Sequence, residues 1–215
     1  MHHHYQLALF DMDETLLQGR TIHIIGEHKG FKDEVLRLEQ SDIISYKKNK
    51  MIARLLKNMT QHELQDIFRT IPLQNHAQEV INTLHNHHIT TAVVTNSYQF
   101  LADDLKQRLS MDYAIGNTLV VNNGIITGEL IIHNTHQKPK FKGCKIHPIC
   151  KRTVVDDFCQ KLNIPADDII AVGDGNIDIC MLEQAGLGIA YKANPEVQQH
   201  ADIATDDLRA ILQYI

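Results

Sequence analysis

The sequence predicts an α/β protein, a Rossmann-like three-layer core in which a mainly parallel sheet is covered by helices. Three observations carry this expectation. Strand-sized apolar runs stop abruptly at polar residues in Leu7-Ala8-Leu9-Phe10-Asp11, Thr91-Ala92-Val93-Val94-Thr95 and Ile169-Ile170-Ala171-Val172-Gly173-Asp174. Such unbroken apolar runs suit buried central strands of a parallel sheet. Outside one insertion they alternate with helically spaced segments, and in such a sheet the carboxyl ends of the strands share one edge, where ligands bind.

In chain order, residues 6–10 form the first strand. Helical spacing then continues from Leu17 to about Thr70 without a strand, so the core comprises residues 1–17 and 72–215, with residues 18–71 inserted as a small helical cap. Within the insert, Ser41-Asp42 is expected to cap a helix whose apolar stripe is Ile44, Met51, Ile52, Leu55 and Leu56. Its other side is basic, with Lys47, Lys48, Lys50, Arg54 and Lys57. Thr60-Gln61-His62-Glu63 matches a capping box and starts a helix that buries Leu64, Ile67 and Phe68. Pro72 returns the chain to the core, where Ala77, Val80, Ile81 and Leu84 mark a helix and residues 90–95 the second strand. A helix over 98–109 follows, then two β-rich runs over 118–131 around Asn123-Gly124, read as a hairpin flap. Helices are expected over 153–162, 178–184 with Gly186 as C-cap, and 207–214; strands are expected over 169–172 and 187–190.

The 215 residues suit one domain, or one core with an inserted lobe. Lys and Arg number 21 against 26 Asp and Glu, a net charge of −5 that argues against a nucleic-acid binder. No apolar stretch approaches the ~20 residues of a membrane helix and no signal segment opens the chain, so no membrane contact and a cytoplasmic location are expected. Without a secretory signal, Cys144, Cys150, Cys159 and Cys180 are expected to be free thiols. Oligomeric state stays open, and His2-His3-His4, native or a tag remnant, is left out of site reasoning.

Asp11 and Asp13 lie two residues apart, so in extended geometry both carboxylates leave the strand tip on the same side. Thr95 and Asn96 end the second strand with a hydroxyl and an amide suited to a phosphate oxygen. Gly173-Asp174-Gly175 ends the third, Asp178 follows, and Lys151 opens the helical segment that feeds it. Each has a structural explanation alone: Asp in a turn, Lys at a helix start, Asp178 as an acid favourable to a helix dipole. Their convergence on one sheet edge is what points to catalysis.

The set Asp11-Met12-Asp13-Glu14-Thr15, Thr95, Lys151 and Gly173-Asp174-Gly175-Asn176-Ile177-Asp178 resembles the four motifs of the haloacid dehalogenase-like phosphatases. Over about residues 6–215 the chain is most similar to their phosphoserine phosphatase branch. The resemblance implies a Mg²⁺-dependent phosphatase that hydrolyses a small phosphorylated metabolite through an aspartyl-phosphate. It makes Asp11 the nucleophile, Asp13 the proton carrier and Lys151 the partner of Asp11 and the phosphate. Thr95 and Asn96 would bind phosphate; Asp11, the Asp13 main-chain carbonyl and Asp174 would hold the metal, with Asp178 behind them on a bound water.

Where that branch carries a glutamate nine residues after the nucleophile, this chain has Arg20, and its expected cap arginine falls near Met51, with Lys50 or Arg54 beside it. Asn96-Ser97 replaces a double glycine, and Asn176-Ile177 stands where a small residue and Asn are usual. Arg20 and Arg54 are therefore the candidate substrate-selecting residues, suited to an extra carboxylate or phosphate or to a hydroxyl-rich leaving group. The alternatives are phosphoserine phosphatase proper, a catalytically silent binding protein, and a dinucleotide-binding oxidoreductase built on Gly173-Asp174-Gly175, whose third glycine position is Asp178. His133, His136, Cys144, His147 and Cys150 form a separate candidate zinc loop, although their spacing fits no standard pattern.

Overall fold

The computed structural model describes residues 4–134 and 146–215. The first strand, β1 (Leu7–Phe10), is followed by four helices: α1 (Thr21–Lys29), α2 (Lys32–Gln40), α3 (Ser45–Leu55) and α4 (Gln61–Arg69). The chain then runs through α5 (Ala77–Asn86), β2 (Thr90–Tyr98), α6 (Gln99–Leu109), β3 (Tyr113–Asn122) and β4 (Ile125–Ile131). After residue 146 come α7 (Lys151–Leu162), β5 (Ile169–Gly173), α8 (Ile179–Leu182), β6 (Leu187–Tyr191), α9 (Pro195–Gln198) and β7 (Ile203–Thr205), with a 3₁₀ segment at Leu208–Gln213.

The seven strands lie in the order β4-β3-β2-β1-β5-β6-β7, parallel except for β4 against β3. β1 is central: Phe10 pairs with Val93 of β2 and with Val172 of β5. The three runs read as strands thus end side by side. Alternation supplies both layers of the core, since Ala8, Phe10, Val93, Ile170 and Val172 face one apolar cluster and Leu7, Leu9, Ala92, Val94, Ile169 and Ala171 the other.

Several elements differ from the sequence expectation for local physical reasons. Ser41 closes α2, its N–H and hydroxyl both donating to the Leu38 carbonyl, and α3 begins only at Ser45 with no side-chain cap. The Thr60 box forms as read, with the Glu63 N–H donating to Thr60 Oγ1 at 3.0 Å, but the Glu63 carboxylate pairs with Lys29. β2 continues through Tyr98 across a register shift after Val94, and the last helical segment is 3₁₀. The hairpin does more than extend the sheet. The Asn58 N–H donates to the Ile126 carbonyl, the Ile126 N–H to Met59 and the Gln61 N–H to Gly124, so its tip is tied to the loop between α3 and α4.

Gly186 is not a left-handed cap. It is glycine because the chain passes the 3₁₀ turn at Ala166–Asp168 so closely that a Cβ would lie 1.8 Å from the Asp167 carbonyl oxygen, while its N–H donates to the Ala166 carbonyl. Backbone cannot yield there as a side chain can. Gly186→Ala is therefore expected to cost about 3 kcal/mol or more in urea unfolding, and a loss below about 1 kcal/mol would contradict this close approach.

Candidate active site

Asp11 is the residue after β1, fixed by its N–H donating to the Val172 carbonyl of β5 at 2.9 Å. Lys151 opens α7 and is only 1% exposed, with its ammonium bridging Asp11 Oδ1 and Asp178 Oδ1. Asp178 is fully buried, and its other oxygen accepts the N–H groups of Asp174 (3.1 Å) and Gly175 (2.9 Å). Gly173 makes this turn possible, because a Cβ there would lie 2.5 Å from Asp178 Cβ. Asp178 therefore pins the lysine and shapes the loop. Both of its oxygens are engaged by protein, and it stands beside Asp11 and Asp174 as expected for a residue behind the metal ligands. The same bonds answer the dinucleotide reading, since the two N–H groups that would face a pyrophosphate are turned onto Asp178.

Asp174 sits at the mouth of this cluster, with Oδ1 accepting from the Thr15 hydroxyl at 2.6 Å. Oxygens of Asp11, Asp174 and Asp178 lie within 4.8 Å of one another, the only such group of potential metal ligands among the described residues. Three carboxylates against one ammonium leave excess negative charge in a buried place, and hard oxygen donors of this kind suit a divalent cation. Burial above all, with Asp178 adding to it, raises Asp11 well above the ordinary carboxylate range; the same causes push Asp174 up to about 6. Burial alone would lower Lys151, but Asp11 and Asp178 outweigh it and hold the ammonium above its usual range.

Asp13 turns away from Lys151 toward the start of α1. Its Oδ1 accepts both the N–H (3.1 Å) and the hydroxyl of Thr21, the buried first residue of that helix. Burial raises its carboxyl, and the two Thr21 bonds work against that. Thr95 is buried at the end of the regular part of β2, and its hydroxyl oxygen accepts the Ser97 N–H, leaving the hydroxyl proton to donate. Asn96 Oδ1 accepts the Ile149 N–H at 2.8 Å, so its side chain carries the segment that delivers Lys151.

A cavity of about 890 Å³ joins these groups, lined by Asp11, Asp13, Thr95, Asn96, Asp174 and Asp178 from the core. From the helical insert it takes Arg20, Ile22, Glu39, Ser45, Lys48, Asn49 and Ile52. Arg20 is there, but not as a free fork: it pairs with Glu14 at 2.7 Å and approaches Glu39 at 3.9 Å. Glu39 is also held by His23 at 2.8 Å, and Lys48 donates to the Glu39 carbonyl at 2.7 Å. Arg54 is not in the cavity. The face of α3 that lines it carries Ser45, Lys48, Asn49 and Ile52, and Arg54, two residues past Ile52, points elsewhere, its backbone 3.3 Å from where a Gly128 Cβ would lie.

Sequence reasoning missed Thr21, Glu14, Glu39 and Gln74. Gln74 donates to the Glu14 and Leu17 carbonyls and accepts from Tyr191 and Lys192, which clamps the loop after Asp13. Nothing local marks these residues except the position of Thr21 at a helix start. Of the candidate zinc loop, His136 and Cys144 lie outside the described residues, Cys150 is a buried free thiol ahead of α7, and His147 Nδ1 lies 3.2 Å from Ser45 Oγ. Cys159 and Cys180 are free as well. Among the described residues no helix is long and apolar enough to cross a membrane.

Comparison with known proteins agrees with this geometry. The profile of the haloacid dehalogenase-like hydrolases matches residues 8–183. A phosphoserine phosphatase of Archaeoglobus fulgidus is 33% identical over 201 residues, 92% of this chain, which spans only 55% of that relative. A phosphoserine phosphatase of Methanocaldococcus jannaschii is 30% identical over 216 residues, 98% of this chain and 97% of the relative. A solved phospho-aspartyl intermediate analogue of phosphoserine phosphatase superposes with a TM-score of 0.82 at 30% identity, covering 99% of each chain. The chain belongs to the haloacid dehalogenase-like hydrolases and is a phosphatase similar to the phosphoserine phosphatases.

Proposed function

We propose that the chain hydrolyses a small phosphomonoester by way of an aspartyl-phosphate on Asp11, and that its substrate differs from phosphoserine. The observation that carries the first part is the buried Lys151 joined to Asp11 and Asp178 beside Asp174. An anionic nucleophile approaching an anionic ester needs such a countercharge. Asp11, Asp174 and the Asp13 main-chain carbonyl would hold Mg²⁺, which would supply further neutralisation of phosphate charge.

Thr95 and the Asn96 N–H donate to the phosphate oxygens. An Asp11 oxygen attacks phosphorus in line while the ester P–O bond breaks, and Asp13 gives its proton to the departing alkoxide. Asp13, now ionised, takes a proton from water as that water attacks phosphorus, releasing phosphate and restoring Asp11. Since Thr21 occupies Asp13 Oδ1, the proton travels on Oδ2. The raised Asp13 carboxyl favours the protonated form that the first step needs.

Residues 18–71 act as a lid over the leaving group. Arg20 bears on substrate choice through its partners: with Glu14 and Glu39 already on the guanidinium, it suits a hydroxyl-bearing leaving group better than a second phosphate. An amine-bearing substrate would have to compete with Arg20 for those two carboxylates.

Purified protein with Mg²⁺ is expected to hydrolyse p-nitrophenyl phosphate, and chelation to abolish it. Asp11→Asn should lower kcat by at least about 10³-fold and remove a hydroxylamine-labile phosphoenzyme. Phosphate trapped on histidine would refute the acyl-phosphate route. Arg20→Gln, which frees Glu14 and Glu39, should raise the kcat/KM ratio of phosphoserine to p-nitrophenyl phosphate by about 10-fold. Phosphoserine as the best substrate of the unaltered enzyme in a phosphometabolite panel would overturn the altered-substrate reading.

A further inference from the structure

The proton-transfer scheme leaves idle one buried polar group of the cavity, the phenol of Tyr98. Tyr98 ends β2 and precedes α6, three residues after Thr95, with its ring stacked on Phe100 at 6.4 Å and an interplanar angle of 7°. It lines the cavity yet is only 5% exposed. Its hydroxyl has no hydrogen-bond partner among the described residues, and it is not one of the side-chain oxygens sealed from solvent, so it opens onto the cavity. Burial, and after it the nearby Asp13 carboxylate, hold the phenol above its usual range, so it remains a donor at neutral pH.

A tyrosine used only for packing would gain nothing over phenylalanine here, since none of the described residues bonds to its hydroxyl. Several other donors of the cavity are already drawn to protein partners: Arg20 to Glu14, Lys48 to the Glu39 carbonyl, Asn49 to the Asn96 carbonyl and Lys192 to Gln74. Tyr98 lines the same cavity as Asp13 and follows Thr95 by three residues, so its hydroxyl belongs to the part of the cavity beside the reacting ester rather than to the outer wall formed by α2 and α3.

We propose that Tyr98 is a specificity-determining residue whose hydroxyl donates to an oxygen on the carbon adjacent to the esterified one, which selects phosphomonoesters of polyols or hydroxy acids. This rests on the phosphomonoesterase reading above. The test compares glycerol 1-phosphate with n-propyl phosphate in two ways: kcat/KM in the active enzyme, and calorimetric affinity in the Asp11→Asn protein, which needs no turnover. Unaltered Tyr98 should favour glycerol 1-phosphate in both measurements, and Tyr98→Phe should shrink the preference by about 10-fold, the scale of one neutral hydrogen bond. An unchanged ratio in Tyr98→Phe, no initial preference, or failure of both esters to bind the Asp11→Asn protein would overturn the proposal. Absence of turnover alone, with the binding preference intact and lost in Tyr98→Phe, would instead count against the hydrolytic reading and support the Tyr98 contact.

Discussion

A single buried ammonium organises the catalytic edge of this protein. Lys151 touches the residue after β1 through Asp11 and the turn after β5 through Asp178, and it enters from the first position of α7. A lysine in so enclosed a place is tolerable only because both carboxylates meet it, and removing one partner from such a group typically costs about 3–5 kcal/mol. The same contacts set the chemistry. Asp178 orients the lysine and gathers the N–H groups of the Gly173-Asp174-Gly175 turn, which leaves Asp11 and Asp174 to present oxygens to the cavity.

Much of this edge was legible from the residues. Central strands of a parallel sheet are covered on both faces, so β1, β2 and β5 appear as continuous apolar runs whose ends announce themselves by a sudden Asp or Thr. The Thr60 capping box and the Asn123-Gly124 hairpin are equally local signals. What escaped was whatever depends on a partner distant in sequence. Nothing near Arg20 in the chain reveals Glu39, and Ser41-Asp42 has the composition of a helix start although Ser41 closes the helix before it, a choice settled by how the insert packs. β7 and α9 are too short to show a period, and Gly186 marks a close approach to Asp167 that no sequence pattern encodes.

The two sides of the cavity are built differently. Around Asp11, Thr95 and Lys151, each group is held by a strand end or helix start. On the side that faces the insert, the charged groups already have partners: Glu14 and Glu39 on Arg20, His23 on Glu39, Lys48 on a backbone carbonyl. An ion entering against such a wall must first break an existing pair.

The hydrogen bonds between the hairpin tip and the loop joining α3 to α4 tie the insert to the edge of the sheet, besides the two places where its chain leaves and rejoins the core. Asn49 on the Asn96 carbonyl and Arg69 on Asp104 tie it again nearer the middle. An insert joined to the core only where its chain crosses would hinge freely there, whereas one fastened along α3 and α4 as well is braced against that movement. The hairpin thereby stiffens the helix that lends Ser45, Lys48, Asn49 and Ile52 to the cavity, although it carries no reacting group.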